Sequence, residues 1–247
     1  VIIDCENTVG LEKLKSTILK KVTNDFEVKL KGEKSLFEKF HLNYQGDIND
    51  LRMKIYSYLN SNEWLRPTVL SFCNSKILEL AGNELVMQNK VNLSIMKPGD
   101  GGSTLPVHSD AHSGESPYQI NIWVPLTDCY GTKSMFILPK KESLLVNTKI
   151  FSWLEKGGRE LVMDKISKDL VWLEVPFKKI VLFSPNLFHG SVSNDTDETR
   201  WSLNVRVKSL FSPYNSEEKG LGNFYSPIRI SPSTKIGLSY VQPSMEK

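Results

Sequence analysis

The hydrophobic period of this chain changes once, near residue 84, and that change limits the folds open to it. Before it, apolar residues recur at helical spacing. Leu11, Leu14, Ile18 and Val22 share a face over residues 8–22, and Ile48, Leu51, Ile55 and Leu59 share one over 47–60. The spacing predicts a third helix over 62–81, with Ser61 as N-cap, Glu63 in the first turn and Gly82 as terminator. After the change, apolar or alternating runs are separated by Gly, Pro and polar residues, which is strand texture. ELVMQNKVNLSIM (84–96), YQINIWVPL (118–126), SMFILP (134–139), LVWLEV (170–175), KIVLFSP (179–185) and RWSLNVRVKSLF (200–211) each read as a strand. One helix, TKIFSWLEKG (148–157), interrupts them, and residues 212–247 show no clear element.

Helices followed by many short strands indicate a mainly β chain, a sandwich or barrel buttressed by helices. The βαβ rhythm of a nucleotide fold is missing, as are GxGxxG and P-loop sequences. The 247 residues fit one domain: a helical buttress over 1–83, a β core over 84–211 and an irregular tail over 212–247. A net charge of +3 argues against a nucleic-acid or membrane surface, so neither partner is expected. Cys5, Cys73 and Cys129 are scattered singly, which argues against a zinc ribbon or a disulfide framework and fits a reducing, cytoplasmic location. The chain starts at Val1 without Met, so residues upstream are expected to be missing.

Two of the four histidines stand four residues apart in LPVHSDAHSGESP (105–117). His108 and Asp110, two apart on extended backbone, point the same way and can reach one ion. The alternative is a loop histidine beside a solvated aspartate. His189, in SPNLFHGSVSN, follows an apolar strand, and Pro185 and Gly190 bracket it as if to hold the ring at a mouth. Arg200 opens the last alternating strand. A hairpin through SNDTDET is expected to return it beside the strand carrying His189; the alternative is a surface arginine paired with Asp197 or Glu198. Two imidazoles and one carboxylate leave three coordination positions open on one face, the donor set of non-haem Fe(II) oxygenases. An arginine nearby supplies a clamp for a distal carboxylate.

The order His108-x-Asp110, His189, Arg200 resembles that of the Fe(II)/2-oxoglutarate oxygenases of the phytanoyl-CoA hydroxylase type. MKPGDGG leading to HSD, NIWVPLTD, and HGS at 189–191 are similar to the family's strings; SMFILPKK departs from it by lacking a Gly-Ser-His turn. The similarity covers residues 84–210. Within 108–138, the SGESP and TKSM runs resemble a bacterial subgroup associated with carbohydrate gene clusters.

The resemblance implies a double-stranded β-helix (jelly-roll, cupin-like) barrel. It implies Fe(II) held by His108, Asp110 and His189, and 2-oxoglutarate bound through its distal carboxylate by Arg200, with Ser191 and Ser202 as hydroxyl donors. The reaction implied is hydroxylation of a small polar, carbohydrate-like substrate, with release of succinate and CO2. Asp110 argues against halogenases of this type, which carry a small residue there. Strand alternation puts Trp123, Asn121 and Gln119 on one face, which suggests a barrel lumen, with Trp123 and Asn121 at the cofactor or substrate wall; the alternative, a solvated polar face, stays open for Gln119. His112 is either substrate-facing or a spare loop histidine, and His41 is structural. Two rivals stay open: a cupin-type metal-dependent isomerase or hydrolase, and a non-catalytic barrel binding module.

Overall fold

The computed structural model describes residues 1–26 and 33–243. Seven strands form one antiparallel sheet. Its order is β1 (Ile2–Asp4), β7 (Lys179–Phe183), β4 (Ile120–Pro125), β9 (Arg200–Ser209), β2 (Leu85–Gln88) and β10 (Tyr225–Arg229), with β3 (Asn92–Met96) also on β9. A smaller antiparallel sheet has the order β6 (Val171–Trp172), β5 (Phe136–Ile137), β8 (His189–Gly190). The jelly-roll expectation is met as two separate sheets flanked by helices; among the described residues no ladder closes them into a continuous barrel.

Strand alternation divides the large sheet into two faces. On β9, Trp201, Leu203, Val205 and Val207 enter the main core, as do Ile122 and Val124 of β4. Arg200, Ser202, Asn204, Arg206 and Lys208 fall on the opposite face. The helices cover the apolar face. α1 (Thr8–Phe26) buries Leu11, Leu14, Ile18 and Val22, and α4 (Ile48–Asn60) buries Leu51, Ile55 and Leu59, the stripes expected from their spacing. Trp201 anchors this layer, edge-on to Phe37 and Phe40 at 5.1 Å, with its indole N–H donating to the Phe37 carbonyl. Trp201→Ala is expected to cost about 3–5 kcal/mol, from lost burial and the cavity left behind, read as a shift in urea unfolding.

Several element boundaries differ from expectation. Residues 62–81 form two helices, α5 (Leu65–Ser71) and α6 (Asn74–Ala81). Ser61 caps the C-terminus of α4 instead of starting the next helix. The reason is Pro67: with the helix starting at Leu65, Pro67 sits in its first turn, where a missing N–H costs nothing. Gly82 ends α6 at φ 78°, as expected. The run 84–96 is two strands, β2 and β3, both on β9; residues 88–91 lie opposite only 205–206, so the chain bulges there. The helix expected over 148–157 is the middle of α7 (Lys140–Ile166), broken by non-helical backbone at Gly157 and Gly158. β1, α2 (Glu33–Glu38) and α3 (Phe40–Asn43) went unread. The tail holds β10 and α8 (Pro232–Ser239). Among the described residues no helix is long and apolar enough to cross a membrane.

Candidate metal centre

His108 and His189 face each other as an antiparallel bridge pair. Each backbone N–H donates to the other's carbonyl, at 3.0 and 2.9 Å. Directly opposed residues project to the same side, and the ring centroids lie 4.3 Å apart. Ser109 is extended and caps a 3-10 turn, Asp110–Ser113. That brings the Asp110 carboxylate to the side of His108, with Oδ1 3.4 Å from His108 Nε2. One donor atom from each of His108, Asp110 and His189 lies within 4.8 Å of the others. The sequence-predicted triad therefore converges.

Each imidazole is oriented from behind. Nδ1 of His108 lies 2.8 Å from the Pro106 carbonyl, and Nδ1 of His189 lies 3.0 Å from that of Leu187. A carbonyl can only accept, so each Nδ1 carries a proton and each Nε2 is the nitrogen left for a metal. Burial, then the His108 charge beside it, pushes His189 down to about 4, so it stays neutral at physiological pH. Burial acts to raise the Asp110 pKa, but the His108 hydrogen bond and the Arg206 charge outweigh it and hold the carboxyl well below its usual range. Burial acts to lower the His108 pKa, but its hydrogen bond to Asp110 outweighs it, so a metal would take the place of the proton on Nε2; two imidazoles and one ionised carboxylate are a fitting donor set for a divalent metal with an open face.

Gly190 is needed beside this pair. A Cβ there would stand 2.8 Å from both the Leu105 carbonyl oxygen and Phe136 Cζ. Gly190→Ala must push β8 off the loop carrying His108. It is expected to lower stability by about 1–3 kcal/mol, visible as a lower melting temperature.

Arg200 is buried on the inner face of β9. Nη1 donates to the Ser134 carbonyl and Nη2 to Ser94 Oγ, both at 3.1 Å. Its Nε has no hydrogen-bond partner, nor has Ser134 Oγ. Among the described residues no carboxylate pairs with it. Asp197 and Glu198, the surface partners considered for it, bind Lys39 and Lys133 at 2.6 Å instead. The expected hairpin is also absent: 191–199 carries the chain from β8 in the small sheet to β9 in the large one, so His189 and Arg200 come from different sheets. A buried guanidinium without a counter-ion is costly, and a carboxylate ligand would satisfy it. The TKSM run ties down Arg200 and the segment that leads into it. Thr132 Oγ1 accepts from the Asp195 N–H, Lys133 pairs with Glu198, and the Ser134 carbonyl takes Arg200.

The remaining expected residues divide. Ser202 is buried on the face of Arg200, opposite Ser94 in the ladder. Ser191 Oγ accepts from the Leu105 N–H at 2.9 Å, which ties β8 to the His108 loop. Asn121 donates to Asp110 Oδ2 at 2.5 Å, so its contact is with a triad residue. Trp123 is buried on the inner face of β4 with Val181 and Phe183, and Phe183 packs edge-on to His189 at 4.9 Å. Gln119 is not solvated; it is buried and bonded to Glu115 and Asn121. His112 packs against Phe151 and Phe188 and lines a cavity of about 340 Å³ with His108, Leu154 and Arg159. His41 bonds Thr199 Oγ1, a structural contact.

Sequence reasoning passed over Arg206 and Glu115. Arg206 Nη2 is 3.2 Å from Asp110 Oδ1, and its Nε is 2.9 Å from Glu115 Oε2. The signal was available, because Arg206 is six residues from Arg200 and an even offset along a strand keeps the same face.

A family model described as phytanoyl-CoA dioxygenase (PhyH) matches residues 12–202. The chain belongs to that family. The matched range contains the triad, Arg200 and Ser202, and stops short of Arg206 and β10. Among solved structures, the chain is similar to a non-haem monooxygenase, ThoJ, in complex with nickel, at 15% identity over 93% of this chain and 80% of that one, with a TM-score of 0.55. It is also similar to HygX from Streptomyces hygroscopicus, solved with nickel and 2-oxoglutarate, at 12% identity over 85% of this chain and 83% of that one, with a TM-score of 0.53. Likeness at these identities shows the shared fold. No curated protein matches the chain.

Proposed function

We propose that this chain is an Fe(II)- and 2-oxoglutarate-dependent oxygenase that hydroxylates a small organic substrate. The observation that carries this is the pairing of two features: a convergent His108–Asp110–His189 donor set, and a buried Arg200 whose Nε lacks a partner. His108, Asp110 and His189 would hold the iron. Arg200, with Ser134 Oγ and Ser202 beside it, would take the distal carboxylate of 2-oxoglutarate in charge-assisted hydrogen bonds. When bound, the iron and oxoacid supply the oxidative decarboxylation that yields succinate and CO2 and delivers one oxygen atom of O2 into a substrate C–H bond.

The chain's own part is orientation and exclusion. The Pro106 and Leu187 carbonyls fix both imidazole tautomers. Asn121 holds Oδ2 of Asp110, and Oδ1 is the oxygen that faces His108. Trp123 and Phe183 give the inner face an apolar wall beside His189 that keeps bulk water away. The substrate's place is the cavity between His108 and α7. Its walls are mostly apolar, with His112 and Arg159 as polar groups. A carbohydrate-like substrate is the narrower reading. It rests on the resemblance of residues 108–138, and such a ring would lay its C–H face on Phe151 and Phe188.

A cupin-type isomerase or hydrolase could use the same three ligands but has no need of a buried arginine whose Nε is left unpartnered. Succinate formation separates the readings. The purified protein with Fe(II) is expected to form succinate only when both O2 and 2-oxoglutarate are supplied. Conversion of a substrate without either would reject the oxygenase assignment.

A further inference from the structure

Asp110 is gripped at both oxygens. Oδ2 accepts from Asn121. Oδ1, the oxygen facing His108 Nε2, also accepts from Arg206 Nη2 at 3.2 Å. A carboxylate oxygen has two lone pairs, so with Arg206 on one side of Oδ1, the other side is left toward the histidines.

Arg206 is held in turn by residues that lead to the C-terminal strand. Its Nε donates to Glu115 Oε2 at 2.9 Å, and Nη1 donates to Asn204 Oδ1 at 3.1 Å. Glu115 Oε2 also accepts from Gln119 Nε2 at 2.6 Å, and Gln119 Oε1 accepts a short hydrogen bond from the Tyr225 hydroxyl. Lys219 Nζ lies 3.6 Å from Glu115 Oε1. Glu115, Gln119 and Tyr225 are all buried. Tyr225 opens β10, so an unbroken polar chain runs from the tail through Gln119, Glu115 and Arg206 to a residue of the triad. Arg206 and Tyr225 both lie beyond the residues that match the family model.

We infer that Arg206 is a positioning residue that sets which lone pair of Asp110 faces the metal, and that the C-terminal strand belongs to the centre because Tyr225, Gln119 and Glu115 hold Arg206 in place. The inference rests on the reading that His108, Asp110 and His189 bind a divalent metal. Outer partners that orient a metal ligand typically contribute 10–100-fold to metal affinity. A cation beside the site also repels the metal. If charge alone mattered, removing Arg206 would tighten binding, so the two effects have opposite signs.

Co(II) titration calorimetry and Co(II) visible spectra on the full chain test this, with the melting temperature of the metal-free protein as a folding check. Arg206→Leu is expected to weaken Co(II) binding by about 10–100-fold and to alter the Co(II) spectrum. Tyr225→Phe leaves the Arg206 charge in place and tests the relay even if Arg206→Leu does not fold. It is expected to weaken binding several-fold and to alter the spectrum in the same sense. Unchanged or tighter binding in both variants, with wild-type spectra, would overturn the inference while leaving the metal site intact. Weakening in Arg206→Leu with none in Tyr225→Phe would overturn the part assigned to the C-terminal strand. A wild-type protein that binds no Co(II) would remove the metal reading itself.

Discussion

Asp110→Ala is expected to reduce 2-oxoglutarate-dependent succinate formation to background and also to destabilise the metal-free protein. The two effects have separate causes. The catalytic loss follows from removing the one anionic donor of the triad, which leaves two imidazoles 4.3 Å apart and no carboxylate to complete a facial set. The stability loss follows from burial. Arg206 is held near Asp110 and Glu115, and truncating one acid leaves a largely covered guanidinium with half its anionic partners. Breaking a buried ion pair in this way costs about 3 kcal/mol. Urea unfolding of the metal-free variant reads that loss independently of activity. Asp110→Asn keeps an acceptor for Arg206 and is expected to lose less stability while still losing turnover.

Arg200→Met is expected to give the opposite pattern. Affinity for 2-oxoglutarate should fall by about 100-fold, because two charge-assisted hydrogen bonds of about 1.5 kcal/mol each are removed. The metal-free fold should lose no stability. Arg200 is buried without a carboxylate and with an unpartnered Nε, so its desolvation weighs against its two hydrogen bonds. Calorimetric titration of 2-oxoglutarate into the Co(II)-loaded protein measures the first effect and urea unfolding the second. A large drop in stability with unchanged 2-oxoglutarate affinity would make Arg200 a structural residue. The contrast between these two arginines on one strand face is itself informative. Arg206 is paired with acids of the chain, whereas Arg200 has no such pair among the described residues.

The residues of the site could be read from the sequence more fully than the elements that hold them. His108 and Asp110 are two apart on extended backbone, and His189 and Arg200 mark strand ends, so local geometry carried their directions. The helical stripes of α1 and α4 were legible for the same reason, as period 3.6 is a local property. Reading failed where a long-range contact decided the outcome. Alternation leaves Gln119 open to solvation because it does not reveal that the Tyr225 hydroxyl, distant in sequence, donates to it in a buried pair. β10 stayed hidden because Pro227 interrupts a short edge strand whose pairing with β2 is 137 residues distant in sequence at Tyr225–Gln88. The supposed hairpin at 193–199 has ordinary turn residues, and only the sheet assignment of β8 shows that the chain crosses between layers. Pro67, by contrast, was visible, and weighing it against Ser61 would have moved the helix start to its observed place.

Anaerobic addition of Fe(II) and then 2-oxoglutarate, followed by visible absorption, tests the central claim most directly. The wild-type protein is expected to show the weak charge-transfer band of a 2-oxoglutarate–iron chelate, and His189→Ala to show none. A band of undiminished intensity in His189→Ala, or its absence from a folded wild-type protein, would contradict the account.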